Sequence, residues 1–292
     1  PSPLHDMKSI SIPSTKRIGE DVLMFFHFDC KKAQKEKKPP RFLVLRRKWL
    51  TLGAAALAAA AIFAAVNYPA AVNASAATRQ LPIYCVQRDQ KVCSISFDAA
   101  WGADNTQKIL DVLKEYGVTC TFFVVGNWAD QYPEQAKAIV DSGNELMNHS
   151  NAHDHFNSLT ADQIIADVNT CNDKIEALTG VRPTLIRCPF GEYDDHVISA
   201  IRSIGMEPIQ WDVDSLDWKG ISASEITKRV TGKVQSGSIV LFHNAGEHTP
   251  EALPDILDYL LAEGYEIVPI SKILLTGDYT IDHTGRQCPA VQ

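Results

Sequence analysis

From about Tyr84 onward the chain alternates short apolar, β-prone runs with amphipathic stretches, and this alternation constrains the fold more than any other feature. Val92-Cys93-Ser94-Ile95-Ser96-Phe97 reads as a strand, 106–116 as an amphipathic helix and 120–125 as the next strand. Pro133 opens another helix and Gly143 closes it, after which Glu145-Leu146-Met147 is again strand-like. Thr160 and Gln163 form a capping box, and the helix that follows places Ile164, Val168, Cys171 and Ile175 on one face before Gly180 stops it. Leu185-Ile186, 208–213, 238–242 and 265–270 read as further strands separated by helices. Repeated β-then-α units of this length predict an α/β fold with a mostly parallel sheet, open or closed into a barrel, and helices outside.

Polar clusters recur where these strands end. Asn148-His149-Ser150-Asn151-Ala152-His153 sets two imidazoles four residues apart, a spacing that can clasp one metal ion. Alone, such a pair is more often a surface feature or a helix cap. Ser96-Phe97-Asp98, Arg187-Cys188-Pro189-Phe190-Gly191, Asp214-Ser215-Leu216-Asp217-Trp218 and Leu241-Phe242-His243 follow predicted strands in the same way. Parallel α/β folds gather their chemistry at the carboxyl ends of strands, so Asp98, His149, Arg187, Asp217 and His243 are expected to share one pocket. The competing readings are a strand-end turn cap for Asp98, a surface ion pair for Arg187 and plain core for Trp218 and Leu241. His155 is read as a solvated loop residue.

A net charge of −7 over 292 residues, with a pI near 5.7, argues against a nucleic-acid footprint, which needs a basic face. Positive charge gathers instead between Lys31 and Lys48, ahead of an alanine-rich apolar run over 49–66. That order puts the N-terminus inside and the rest outside. The expected organisation is a basic cytoplasmic tail over 1–48, a signal anchor or signal-peptide core over 49–66, a linker over 67–83 and a catalytic domain over 84–292. The protein would then be exported and membrane-anchored, or be secreted if cut near Ala74-Ser75-Ala76. Of seven cysteines, Cys120 and Cys171 read as small core residues, and Cys85 with Cys93 is the local pair to test.

In this order, from about Val92 to Ile270, the motifs resemble the polysaccharide deacetylase family, the NodB-homology domain or carbohydrate esterase family 4. Phe97-Asp98-Ala99-Ala100-Trp101-Gly102 together with the segment from Gln210 to Trp218 looks most like its sporulation-associated peptidoglycan deacetylase branch. The resemblance implies a distorted (β/α) barrel, a hydrolase that removes acetyl groups from N-acetylated sugars, and a cell-wall polysaccharide as substrate. It implies His149 and His153 as ligands of a divalent metal, zinc, cobalt or nickel, and Asp98 as the base that takes a proton from water. Arg187 would hold that carboxylate, His243 would be the general acid and Asp217 its orienting partner. Phe190 would supply an oxyanion donor from its backbone amide, with Trp218 and Leu241 lining the acetyl pocket.

One position departs from the pattern. The family motif has two consecutive aspartates, the second a metal ligand, and here that place is Ala99. Asp98, water or Asp104 would have to fill the gap. A carbohydrate-binding pseudoenzyme therefore stands beside the deacetylase reading, as do chitin oligomers and acetylated xylan beside peptidoglycan as substrates. Retention of Asp98, Arg187, Asp217 and His243 favours an enzyme.

Overall fold

The computed structural model describes residues 56–58 and 79–290. The chain divides into two units, Pro1–Ser75 and Ala76–Gln292, and of the first only a short exposed helical stretch over 56–58 is described. The expected basic tail, most of the apolar run and the linker up to residue 78 lie outside the described residues. Among the described residues no helix is long and apolar enough to cross a membrane.

The second unit is built on β2 (Val92–Ala99), β3 (Thr121–Val124), β4 (Glu145–Asn148), β5 (Leu185–Ile186), β6 (Glu207–Pro208), β7 (Val213–Asp214), β8 (Ile239–His243) and β9 (Glu266–Ile267), preceded by a short β1 (Cys85–Val86). Strands β2 to β9 form one sheet, all pairs parallel, in the order β6-β5-β4-β3-β2-β8-β7, with β9 pairing the start of β2. Laid flat, seven neighbouring strands would separate the edges by about 29 Å, at about 4.8 Å per step. Yet the edge strands β6 and β7 are joined by residues 209–212 alone, which reach at most about 17 Å. The sheet must therefore curl into an incomplete barrel. Ile83 helps bridge the seam through its pairing with Ile209, and Gln210 N–H donates to the Ile83 carbonyl at 2.7 Å.

The crossovers run through α1 (Thr106–Glu115), α2 (Gly126–Gln131), α3 (Pro133–Asp141), α4 (Ala161–Thr179), α5 (Asp195–Ser203), α6 (Ala223–Thr231), α7 (Thr249–Ala262) and α8 (Ile270–Ile273). The Thr160–Gln163 capping box is present at the start of α4, and Gly180 ends that helix at φ 74°, a left-handed conformation that a glycine adopts without strain. Strand alternation separates two cores. Cys93, Ile95, Phe97 and Ala99 of β2 join the layer packed under the helices, whereas Val92, Phe123, Met147, Leu185, Ile209 and Ile239 fill the inside of the curl.

Three expectations need correction. The run over 208–213 is two strands rather than one, because 209–212 crosses between the sheet edges. Past Ile267 the run over 265–270 turns into α8. Ordered packing also begins before Tyr84: Gln80 N–H donates to Asp195 Oδ1 at 2.9 Å, and Ile83 is fully buried. A second sheet that the pattern did not announce joins β1 to β11 (Arg286–Pro289) in parallel and β11 to β10 (Tyr279–Ile281) in antiparallel. Cys120 and Cys171 are buried core residues as expected, and Cys85 and Cys93 are free thiols rather than a bonded pair.

Candidate active site

Register brings the strand-end residues together. Asp98 pairs directly with His243 across β2 and β8, and Asn148, next to His149, pairs with Ile186, next to Arg187. Asp98 and His243 point into the curl, by the same parity that sends Ala99 to the helix layer. Asp98, His149, His153, Phe190, Trp218, Leu241 and His243 all line one cavity of about 440 Å³, together with Trp101, Trp211 and Asp214. Arg187 and Asp217 stand behind it, each bonded to a lining residue. Asp104 is exposed and not part of the lining.

Arg187 is fully buried, and its Nη1 donates to Asp98 Oδ1 at 2.7 Å while Nη2 donates to the Gln210 carbonyl at 3.1 Å. Its guanidinium also lies 4.3 Å from the centre of the Phe123 ring. Burial by itself would raise the Asp98 carboxyl, but the charge of Arg187 and the hydrogen bond that it donates outweigh it and hold the group below its usual range. Asp98 is therefore ionised.

His149 sits opposite. Its Nδ1 lies 2.7 Å from the Arg187 carbonyl, which can only accept, so Nδ1 carries the proton and Nε2 presents a lone pair. Burial lowers its basicity and keeps the ring neutral. That lone pair stands 3.6 Å from Asp98 Oδ2. Two buried electron-rich atoms thus face each other with no proton to share, a spacing close to the roughly 3.4 Å between two ligands of one tetrahedral ion with bonds of about 2.0–2.1 Å. His153, whose pKa is lowered to about 4 by burial and then by His149, adds a buried Nδ1 without a partner. The donors that are present suit a divalent cation. Among the described residues, however, no three His, Cys, Asp or Glu side chains form a ready-made cage, and Ala99, packed under the helices, supplies nothing to it.

The histidine loop is held from α4. Asn148 Oδ1 accepts from Ser150 N–H at 2.7 Å, its Nδ2 donates to Asn172 Oδ1 at 2.8 Å, and Asp167 Oδ1 accepts from Asn151 N–H at 2.8 Å. These anchors support unusual backbone: Ser150, His153, Phe190 and Leu216 have φ between 57° and 69°, the only positive values for non-glycine residues among the described ones. All four lie in loops of this pocket, where such conformations store strain of about 1–3 kcal/mol each.

At the other wall His243 Nδ1 donates to Asp217 Oδ1 at 2.8 Å, and Asp217 Oδ2 accepts from the His243 backbone at 2.7 Å and from Thr249 Oγ1 at 2.6 Å. Burial opposes protonation of His243, but the bond and charge of Asp217 prevail and raise its pKa above the ordinary value. The loop from β8 to α7 approaches this pair so closely that a Cβ on Gly246 would lie 2.7 Å from Asp217 Oδ2.

Sequence reasoning missed Thr249, Asn148 and Asp167, whose roles arise only when distant segments meet. His155 is the exposed loop residue expected; its ring stacks on Phe190 at 4.1 Å and 11°, its Nδ1 lies 2.9 Å from Glu192, and Phe190 in turn meets His153 at 4.4 Å.

Comparison with known proteins places this geometry in context. The polysaccharide deacetylase family model matches residues 86–209. The chain is 34% identical over 188 residues to peptidoglycan-N-acetylmuramic acid deacetylase PdaC of Bacillus subtilis, covering 64% of this chain but only 40% of that protein's length. It is 30% identical to peptidoglycan-N-acetylmuramic acid deacetylase PdaA of the same organism, over 65% of this chain and 74% of PdaA. A crystal structure from Bacillus anthracis, described as that of a family 4 carbohydrate esterase pseudoenzyme, matches with a TM-score of 0.64 and 33% identity over 66% of this chain and 68% of the other.

Proposed function

The chain belongs to the polysaccharide deacetylase family, and from that premise we propose that it hydrolyses the N-acetyl groups of cell-wall glycan, with peptidoglycan as the substrate. The observation that carries this reading is the pairing, on neighbouring strands at one pocket, of an ionised Asp98 clamped by Arg187 and a His243 made more basic by Asp217. A base that is always charged and an acid that is readily protonated are what amide hydrolysis requires.

Arg187 engages Asp98 Oδ1 and leaves Oδ2 to take the proton from an attacking water. The Phe190 backbone, turned by its φ of 59°, lies at the pocket wall where an oxyanion forms. His243 delivers its proton to the departing sugar amine, and Asp217 fixes the ring and supports its positive charge. Leu241 and Trp218 enclose the acetyl methyl group. The family is in general metal-dependent, and His149 and His153 would hold the ion, with Asp98 Oδ2 left beside it for the attacking water. Zinc, cobalt or nickel bound there would polarise the acetyl carbonyl and acidify the water. The cationic stretch followed by the apolar run over 49–66 supports export, with the second unit facing the wall.

A second reading, a glycan-binding protein without turnover, draws on Ala99 and on the pseudoenzyme relative. Acetate release from N-acetylated peptidoglycan strands, measured with added zinc, cobalt or nickel, decides between them. Turnover lost in Asp98→Asn supports the enzyme; tight glycan binding without acetate release in any metal overturns it.

A further inference from the structure

The loop after β2 carries an exposed indole on the rim of the pocket. Trp101 is 64% exposed and follows Ala100, which also lines the cavity. Single exposed apolar side chains are ordinary, so exposure alone assigns nothing. The backbone beside Trp101, however, is fixed. The Gly102 carbonyl accepts from Trp128 Nε1 at 2.7 Å and from Asn244 Nδ2 at 2.9 Å, and both donor residues are buried. The indole also packs against the His153 ring, with centroids 4.7 Å apart and planes at 68°. A second exposed indole, Trp218, lines the same cavity from the segment after β7.

A rigid aromatic face beside a polar pocket matches the chemistry of a pyranose. The axial C–H bonds of a sugar lie against π electrons while its hydroxyls stay in water, and a surface ordered in advance loses little entropy on binding. Asp98 and His243 address the acetyl group of one sugar unit. Trp101, at the rim, is placed for the unit beside it.

We propose that Trp101 forms a stacking subsite for a sugar neighbouring the one that is deacetylated. This inference rests on the deacetylase reading and specifies the form of its substrate. The test is calorimetric titration of the full chain with N-acetylglucosamine and with its β-1,4-linked pentamer. The wild type is expected to bind the pentamer more tightly, and Trp101→Ala to narrow that gap by about three- to tenfold, the worth of one aromatic contact. Trp101→Tyr should retain most of the gap, which a purely structural role of the indole in the loop does not predict. An undiminished gap in Trp101→Ala overturns the subsite and leaves the deacetylase reading standing. A wild type that binds neither these sugars nor acetylated peptidoglycan strands, and releases no acetate, overturns both.

Discussion

Arg187 and Asp98 form a buried ion pair in which Nη1 and Oδ1 are 2.7 Å apart, the guanidinium fully enclosed and the carboxylate nearly so. The sheet has bound two charges where neither tolerates solitude. Breaking such a pair from one side leaves an uncompensated charge, which outweighs the loss of the contact itself.

Arg187→Met is accordingly expected to lower unfolding free energy by about 3–5 kcal/mol. The folded pKa of Asp98 lies below its unfolded value, so its contribution to stability is present above the unfolded pKa and is lost as pH falls through the folded one. The variant should lose that acid-side dependence. Urea titrations at neutral and acidic pH measure both effects, and equal stability of the two proteins would contradict the assignment.

Removing either proton-transfer group should spare binding and stop turnover. Asp98→Asn and His243→Ala are each expected to reduce the rate of acetate release by about 100- to 10,000-fold while glycan affinity changes little. Losses below about tenfold in both would sink the acid–base scheme.

The pH profile supplies an independent check. His243 has a raised pKa, so its protonated form, and the stability its ion pair adds below the unfolded value, are lost as pH rises through the folded pKa. Activity should decline on the alkaline side with that group, and Asp217→Asn should move the alkaline limb to lower pH. A limb that stays in place in Asp217→Asn argues against His243 as the acid.

His149→Ala and His153→Ala should each abolish retention of zinc or cobalt after dialysis with the fold intact by circular dichroism. Undiminished metal content in the double variant counts against these ligands.

Ala99→Asp separates two accounts of the missing aspartate. Because Ala99 packs fully buried among apolar residues beneath the helices, a carboxylate there is expected to lose at least about 1–3 kcal/mol of stability. If the new side chain instead reached the cavity, calorimetry would record tighter metal binding without that loss.

The parts of this fold legible in the sequence are those governed by local rules. Thr160, Gln163 and Gly180 bound α4 because capping and left-handed termination need only a few residues. The pocket was legible for a related reason: parallel strands must end on one side, so polar residues after successive apolar runs converge. Asp98 and His243 met that expectation through register. Helix α2 escaped notice, being one turn and a half without a side-chain cap. The strands β10 and β11 are too short for alternation to mark them, and the contact between Thr249 and Asp217 joins residues 32 positions apart.

The small sheet has a consequence for how such a unit travels between proteins. Cys85 and Arg286 are strand neighbours, so the polypeptide enters and leaves the folded body at one place. A body with adjoining ends can be spliced into the loop of a host, or strung between other modules, without prising its own strands apart. The same closeness makes the order of its segments negotiable: a short peptide joining the two ends, with a new opening cut in an exposed turn such as the one at Gly180, should yield a permuted chain with the pocket undisturbed.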